Sequence, residues 1–524
     1  MTEDSNLTLP IHGASPFNVS SENGANPRRS FTPPQVSRSP MGPASRIARG
    51  LLSLALLAAG GSFAPTCAAA EAQDQWPQFR GPNNSGVSRS TQTPWKFGPT
   101  NGVAWKIAVP WSPSSPCVWG DRIFLTTFVD GQLETRAHDR ATGRLLWAKQ
   151  VRPEKLEAFH RSDGSPAAST PATDGRRVVS YFGSFGLICH DADGREVWRH
   201  PLPVALSGGS YGTGTSPVIF GDRVLINRDQ DLGSSLLCID LADGHTVWET
   251  PRPDMIGGFG TPVIWRNAGV DEVVLPGSVQ LKGYDVKTGR ERWLVSGVSS
   301  FVCTTPVIGD DQLYFAAWSP GKADSSVPMD WPSFRQRFDK NGDGKVTSTD
   351  FDSVTWDFIR GLDVNRDGEI NDIDLALVRD RASRAENLLI AVRPGGTGDI
   401  TKTHVAWKFG RGLPYVPSPL FHQGRIYLVK DGGMISCFDA RSGKPFYSQE
   451  RLGTAAAYYA SPVASGDHVY FASLDGKLTV VKAGGDAPEI VHRADFGERI
   501  FATPALVGGH VYLRTEEHLY SLGD

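Results

Sequence analysis

Thr215-Ser-Pro217-Val-Ile-Phe-Gly-Asp222-Arg-Val-Leu-Ile226, continued by Leu236-Leu-Cys-Ile-Asp240-Leu-Ala-Asp-Gly244-His-Thr-Val-Trp248, decides the fold. It spells three β-strands separated by turns, with the tryptophan on a fourth. Gly-Asp222 and Ala-Asp-Gly244 are hairpin turns that need positive φ. The Val, Ile, Leu and Cys between them suit strands covered on both faces. The same small-residue–proline–strand opening recurs at Pro116, Pro171, Pro217, Pro262, Pro306, Pro419, Pro462 and Pro504. Successive spacings are 55, 46, 45, 44, 113, 43 and 42 residues. A period of about 44 residues is one four-stranded propeller blade. The long interval is one blade plus roughly 70 residues of an inserted passenger.

Five turns carry a second signature. Ala137-His-Asp139-Arg-Ala-Thr142-Gly143-Arg-Leu-Leu-Trp147 is echoed by Asp240/Gly244/Trp248 and Asp285/Gly289/Trp293. Asp191/Gly194/Trp198 is one residue shorter, and Asp439/Gly443/Tyr447 ends in tyrosine. An Asp that accepts backbone N–H bonds across a turn, and a large ring that docks on the next blade, explain the pattern. It resembles the tryptophan-docking repeat of the pyrroloquinoline-quinone (PQQ) propeller family, which includes quinoprotein alcohol dehydrogenases and the outer-membrane assembly lipoprotein BamB. The resemblance covers about 420 residues. The chain ends on a third strand, Leu519–Leu522, and Val103-Ala-Trp105-Lys supplies a fourth from the other end. The expected fold is therefore all-β: an eight-bladed β-propeller closed by an N-terminal strand, with a small α-helical EF-hand-like insertion.

Residues 1–45 are rich in Ser, Pro, Asn and Gly and read as disordered or as a misassigned start, Met41 being an alternative initiator. Arg46 and Arg49 precede a short apolar run, Leu51–Ala59, and small residues ending Ala68-Ala-Ala70. Residues 46–70 thus read as a signal peptide, too short to span a membrane. Two other export readings, a twin-arginine signal at Arg28-Arg29 and a lipidated Cys67, fit the spacing and flanking residues less well. Residues 71–102 form a lead-in, 103–320 and 387–524 the two parts of the propeller, and 321–386 the insertion. Export places the protein in the periplasm, the cell envelope or outside the cell. A net charge of −3 gives no basic field to recruit nucleic acid. Cys189, Cys238 and Cys437 hold equivalent places in different blades, too far apart to pair, and read as small buried hydrophobes.

The strongest chemical signal lies in the insertion. Asp339, Asn341, Asp343, Lys345, Thr347 and Asp350 stand at positions 1, 3, 5, 7, 9 and 12 of one twelve-residue loop. Asp363, Asn365, Asp367, Glu369, Asn371 and Asp374 do the same in a second, and Gly344 and Gly368 occupy the sharp turn at position 6. Oxygen donors at 1, 3, 5 and 12 and a carbonyl at 7 are what a Ca²⁺ loop needs, so two Ca²⁺ sites are expected. Val346 and Ile370 at position 8 would pair the loops. Asp replaces the usual Glu at position 12, and the loops start 24 residues apart, leaving room for one shared helix over about 349–361. Both features resemble the dockerin-type calcium repeat. Trp331, Phe334 and Phe338, at helical spacing, instead argue for an entering helix, and the sequence leaves the two variants open.

Aromatic residues precede the blade prolines: Tyr211, Phe259, Phe301, Tyr415, Tyr458, Tyr459 and Phe501. They are expected to line the mouth of the central channel, with the calcium module beside it as a lid. The leading functional reading is an exported, non-catalytic binding scaffold similar to BamB, monomeric, with envelope proteins or glycans as partners. A PQQ-dependent alcohol or sugar dehydrogenase is the alternative that the resemblance implies. The chain has neither the adjacent cysteines often found beside PQQ in that family nor the C-x-x-C-H of an attached haem. Carbohydrate or envelope-polymer binding at the aromatic mouth is a third reading.

Overall fold

The computed structural model describes residues 75–523, apart from 207–210, 232, 320–329, 353–354, 357–358 and 364–366. The expected disordered start and signal peptide lie outside the described residues. Eight sheets, antiparallel but for one short parallel strand, make an eight-bladed β-propeller. Blade 3 shows the design: Val218–Phe220, Arg223–Arg228, Ser235–Asp240 and Thr246–Pro251 pair in chain order. Its two middle strands are almost wholly buried, because each sheet is covered by a neighbour on both faces. The outer strand alternates between exposed and half-buried residues. Gly221 and Gly244 turn the hairpins at φ 60° and 80°.

Three sheets depart from this pattern, and in blade 4 the segment Gly398–Asp399 adds a fifth strand parallel to Glu291–Ser296. Val103–Ala108 runs antiparallel to His518–Leu522, so blade 8 joins strands from the two ends of the described chain. In blade 5 the second strand, Gln312–Ala317, pairs directly with the third, Leu388–Val392. The insertion leaves from that hairpin. At its root Ser319 and Asn387 exchange two hydrogen bonds of 2.9 and 2.8 Å.

The turn tryptophans bind successive blades together. Trp147 lies over Gly194 of blade 2 and donates its indole N–H to the Ala192 carbonyl (2.9 Å). Trp198 does the same to Gly244 and Leu241 (3.0 Å), and Trp407 to Gly443 and Ala440 (3.1 Å). A Cβ on Gly244 would stand 2.7 Å from the Trp198 ring, so the motif's glycine is there for ring approach as well as for φ. The motif's Asp works as expected: Asp139 Oδ1 accepts the Thr142 N–H (2.8 Å) and hydroxyl (2.6 Å). Trp293 is the exception. Blade 5 has no matching turn, and the indole donates instead to Glu272 of its own sheet. Cys189, Cys238 and Cys437 sit opposite Trp198, Trp248 and Tyr447 and are buried free thiols.

Inside the ring, the residue before each blade proline is Ser or Thr, and these eight residues form a closed circle. Ser115 N–H donates to the Thr170 hydroxyl (2.9 Å), Thr170 to Ser216 (3.0 Å), and Ser216 to Thr261 (3.2 Å). The chain of bonds continues through Thr305, Ser418, Ser461 and Thr503. Thr503 N–H closes it on Ser115 (3.0 Å). The following proline biases each of these residues toward extended backbone and sets the repeat in phase.

Candidate functional site

The circle frames a cavity of about 690 Å³. Its floor comes from the lead-in, which crosses the channel. Trp76 pairs with Val118 of blade 1, Asn84 donates to the Pro262 carbonyl of blade 4 (2.7 Å), and Arg80 to the Pro419 carbonyl of blade 6 (2.7 Å). Phe79 is thereby presented to the cavity. Arg80 is fully buried, and desolvation pulls its guanidinium down to about 9. No hydrogen-bond partner meets its Nε or Nη1. The sequence marked Trp76–Pro82 as part of an ordered lead-in against the ring, but not Phe79 or Arg80 as channel residues, because only closure of the ring gives them a channel to fill.

The walls combine inter-blade segments with loops between second and third strands. Of the expected mouth aromatics, Tyr211, Phe259, Tyr415, Tyr459 and Phe501 line the cavity. Phe301 and Tyr458 do not: each is almost fully buried, Phe301 edge-on behind Phe259 at 5.5 Å and Tyr458 in the core between blades 6 and 7. Sequence spacing places an aromatic near the mouth but does not say which way the loop turns it. Trp318, at the insertion's root, joins the lining, edge-on to Tyr415 at 5.7 Å. None of the described residues of 330–384 lines the cavity, so the lid expected of the insertion is not among the lining groups.

Asp163 and Asp431 also line the cavity, as does Cys303, whose thiol burial pushes up to about 12. Burial likewise raises the Tyr415 and Tyr459 hydroxyls, so they are neutral at physiological pH. Behind the wall lies Glu157, which sequence reasoning missed. It accepts the Thr213 hydroxyl (2.5 Å), its Oε1 has no hydrogen-bond partner, and burial pushes its carboxyl up to about 8.

In the insertion, helix α1 (Trp331–Phe338) leads into the first loop and helix α2 (Asp372–Arg384) leaves the second. Asp339 accepts N–H bonds from Gly342 (2.8 Å) and Gly344 (3.0 Å). Asn341 and Asp343 accept from Asp343 and Lys345 (2.8 and 2.9 Å). Asp350 reaches back across the loop to the N–H groups of Lys340, Asn341 and Thr347 (2.9, 3.2 and 2.8 Å). The second loop repeats this: Asp363 accepts from Gly368 (2.9 Å), Asp367 from Glu369 (2.9 Å) and Asp374 from Asn371 (3.0 Å). Asn365 lies outside the described residues. Thr347 and Asn371, at position 9, cap the helical turns that follow. Lys345 and Glu369, at position 7, form an ion pair of 2.9 Å between the loops. Ile370 N–H donates to the Val346 carbonyl (2.9 Å), and both side chains are buried with Phe334, Ile359, Leu362, Leu375 and Val378. The described residues of the expected shared helix form short turns at Ser348–Asp350 and Arg360–Leu362, with helical residues at 355–356 and 359. Val354 and Phe358 lie outside the described residues.

No curated protein matches the chain. Among solved structures, it resembles BamB from Moraxella catarrhalis (13% identity, TM-score 0.50, covering 80% of this chain and 98% of that one). It also resembles a europium-containing methanol dehydrogenase (11%, 0.53, 85% and 90%). A third likeness is the quinohemoprotein alcohol dehydrogenase from Comamonas testosteroni (14%, 0.50, 87% and 82%). At these identities the likeness is one of fold. No helix among the described residues is long and apolar enough to cross a membrane. The family model described as outer membrane protein assembly factor BamB matches residues 132–320 and 399–522, on both sides of the insertion. The match covers more than half of the eight-bladed chain, which therefore belongs to that family.

Proposed function

We propose that this protein is an exported, non-catalytic binding platform of the BamB type, with two Ca²⁺ ions holding its inserted module together. The observation that carries the platform reading is the channel: the lead-in fills one end, and the other opens as an aromatic-walled cavity ringed by loops. By its family, its protein partners belong to outer-membrane assembly. Co-purification of the tagged full chain from its own envelope tests this. A stoichiometric envelope partner is expected, and a chain recovered alone under gentle extraction argues against a scaffold.

Support for calcium comes from the donor set. Hard oxygen ligands are gathered twice on short loops, and Asp350, Asp363 and Asp374 are at most 8% exposed. A carboxylate held out of water costs free energy unless a cation or donors neutralise it. When bound, Ca²⁺ supplies that neutralisation. Helix α1 favours an EF-hand arrangement over a dockerin one. Titration of Ca²⁺ into the full chain after chelation should give two sites, and no uptake would remove this part of the reading.

The alternative, a PQQ-dependent dehydrogenase, draws support from the fold it shares with quinoproteins. PQQ is a tricarboxylate. The described cavity lining carries Asp163 and Asp431 and no Lys or Arg, a donor set that does not fit the cofactor. Dye-linked turnover of alcohols or sugars with added PQQ and Ca²⁺ would favour the alternative.

A further inference from the structure

We propose that the channel cavity binds a small organic cation, an alkylammonium or methylated ammonium group held against aromatic faces and neutralised by Asp163 and Asp431. This rests on reading the cavity as a ligand mouth and adds the class of its ligand.

Three observations converge. The first is the density of rings. Phe79 forms the floor, and Tyr211, Phe259, Tyr415, Tyr459 and Phe501 stand around it. Aromatic faces carry negative quadrupole potential, and several around one space attract a desolvated cation. The second is rigidity. Each wall ring is held by a ring outside or beside it: His160 stacks on Tyr211 at 5.4 Å, Trp111 meets Phe501 edge-on at 5.8 Å, and Tyr459 lies 5.6 Å from Phe501. A cage held this way needs little ordering when a ligand enters.

The third is charge. Asp163 and Asp431 are the carboxyl side chains of the described lining, which includes His160 and has no Lys or Arg. Asp431 is fixed in place by the Tyr458 N–H (2.8 Å). Both carboxylates lie near enough to Tyr459 to push its hydroxyl further up. Arg499 stands within electrostatic reach of Asp163 but is already paired. It lies over Phe501 at 5.0 Å, but Glu516 holds it through two contacts of 2.9 and 2.5 Å, and it also donates to the Ser162 carbonyl (3.3 Å). Two carboxylates beside neutral tyrosines and phenylalanines repel an anion and leave a cation compensated on entry.

The test is calorimetric titration of choline into the full calcium-loaded chain, beside 3,3-dimethylbutan-1-ol, its neutral isostere. Choline should bind saturably and the isostere about tenfold more weakly. In the double variant Asp163→Asn/Asp431→Asn, the amide oxygen at position 431 can still accept the Tyr458 N–H. There choline should fall to the level of the isostere with the melting temperature unchanged. Tyr459→Ala and Phe79→Ala should each weaken choline and locate it in the cavity. Equal binding of the isostere, full choline affinity in the charge-neutral variant, or no saturable binding of choline or tetramethylammonium would each overturn the inference. An oligosaccharide that binds where cations fail would leave the platform reading standing and remove this one. PQQ binding with turnover would remove both.

Discussion

The ring and the insertion solve the same problem by opposite means. In the ring, neighbouring blades share buried apolar faces, a docked tryptophan and one link of the hydroxyl circle. The hydroxyl link recurs at every seam and the docked tryptophan at most of them, so cohesion is spread over many similar contacts. The insertion has one small core of seven buried residues, wrapped by two acidic loops. Its loops carry the carboxylates proposed above to hold Ca²⁺, and on that reading removal of the ion loosens the module. Redundancy should make the ring tolerant of local change, and the proposed Ca²⁺ sites would make the insertion conditional on the ion.

The largest expected effect probes the ring. Trp198→Ala removes a buried indole that closes the blade 2–blade 3 seam, and should cost ~3–5 kcal/mol in denaturant unfolding. A loss below ~1 kcal/mol would mean that neighbouring seams share the load more fully than described. Chelation probes the insertion. If Ca²⁺ stands ~100–1,000-fold above its dissociation constants, its removal withdraws ~3–4 kcal/mol. Proteolysis should then cut within 330–384 while the main propeller transition stays in place. A parallel fall of both would show that the two regions are one cooperative unit.

A third experiment sharpens the comparison, because Glu157 is a place where the ring itself bears a buried acid whose desolvation outweighs its hydrogen bond from Thr213. Its carboxyl titrates at about 8 in the folded protein against an ordinary 4.5. The unfolded chain therefore loses its proton first, and stability falls as pH rises from 4.5 to about 8. Glu157→Gln should remove that slope and stabilise the protein by up to ~3 kcal/mol at pH 7. An unchanged pH profile between wild type and variant would show that Glu157 is not the source. The smallest effect tests the hydroxyl circle. Ser216→Ala leaves the Thr170 N–H buried without its acceptor and should cost ~1–2 kcal/mol by thermal unfolding. Ser216→Thr should restore most of it.

Much of this was legible before the fold was seen. Blade number follows from the prolines, because a small-residue–proline–strand step that recurs about every 44 residues marks one blade each time. The docking turns follow from the Asp–Gly–Trp spacing, and the loops from oxygen donors at fixed intervals. What escaped was whatever depends on two blades at once. The small residue before each proline was visible, but its hydroxyl has no acceptor role until the next blade lies alongside. Trp293 matches the motif, yet blade 5 offers it no turn to dock on.

The sequence by itself determined the repeat, the blade count and the placing of oxygen donors on two loops, because each is local: a turn, a strand period or a loop spacing acts within a dozen residues. The tertiary structure alone decided that Phe79 and Arg80 enter the channel, that Phe301 and Tyr458 turn away from it, and that Asp163 and Asp431 share one cavity. Residues 79 and 419, or 163 and 431, have no relation along the chain. Closure of the ring brings them within reach, and side-chain direction at that distance is fixed by packing rather than by propensity.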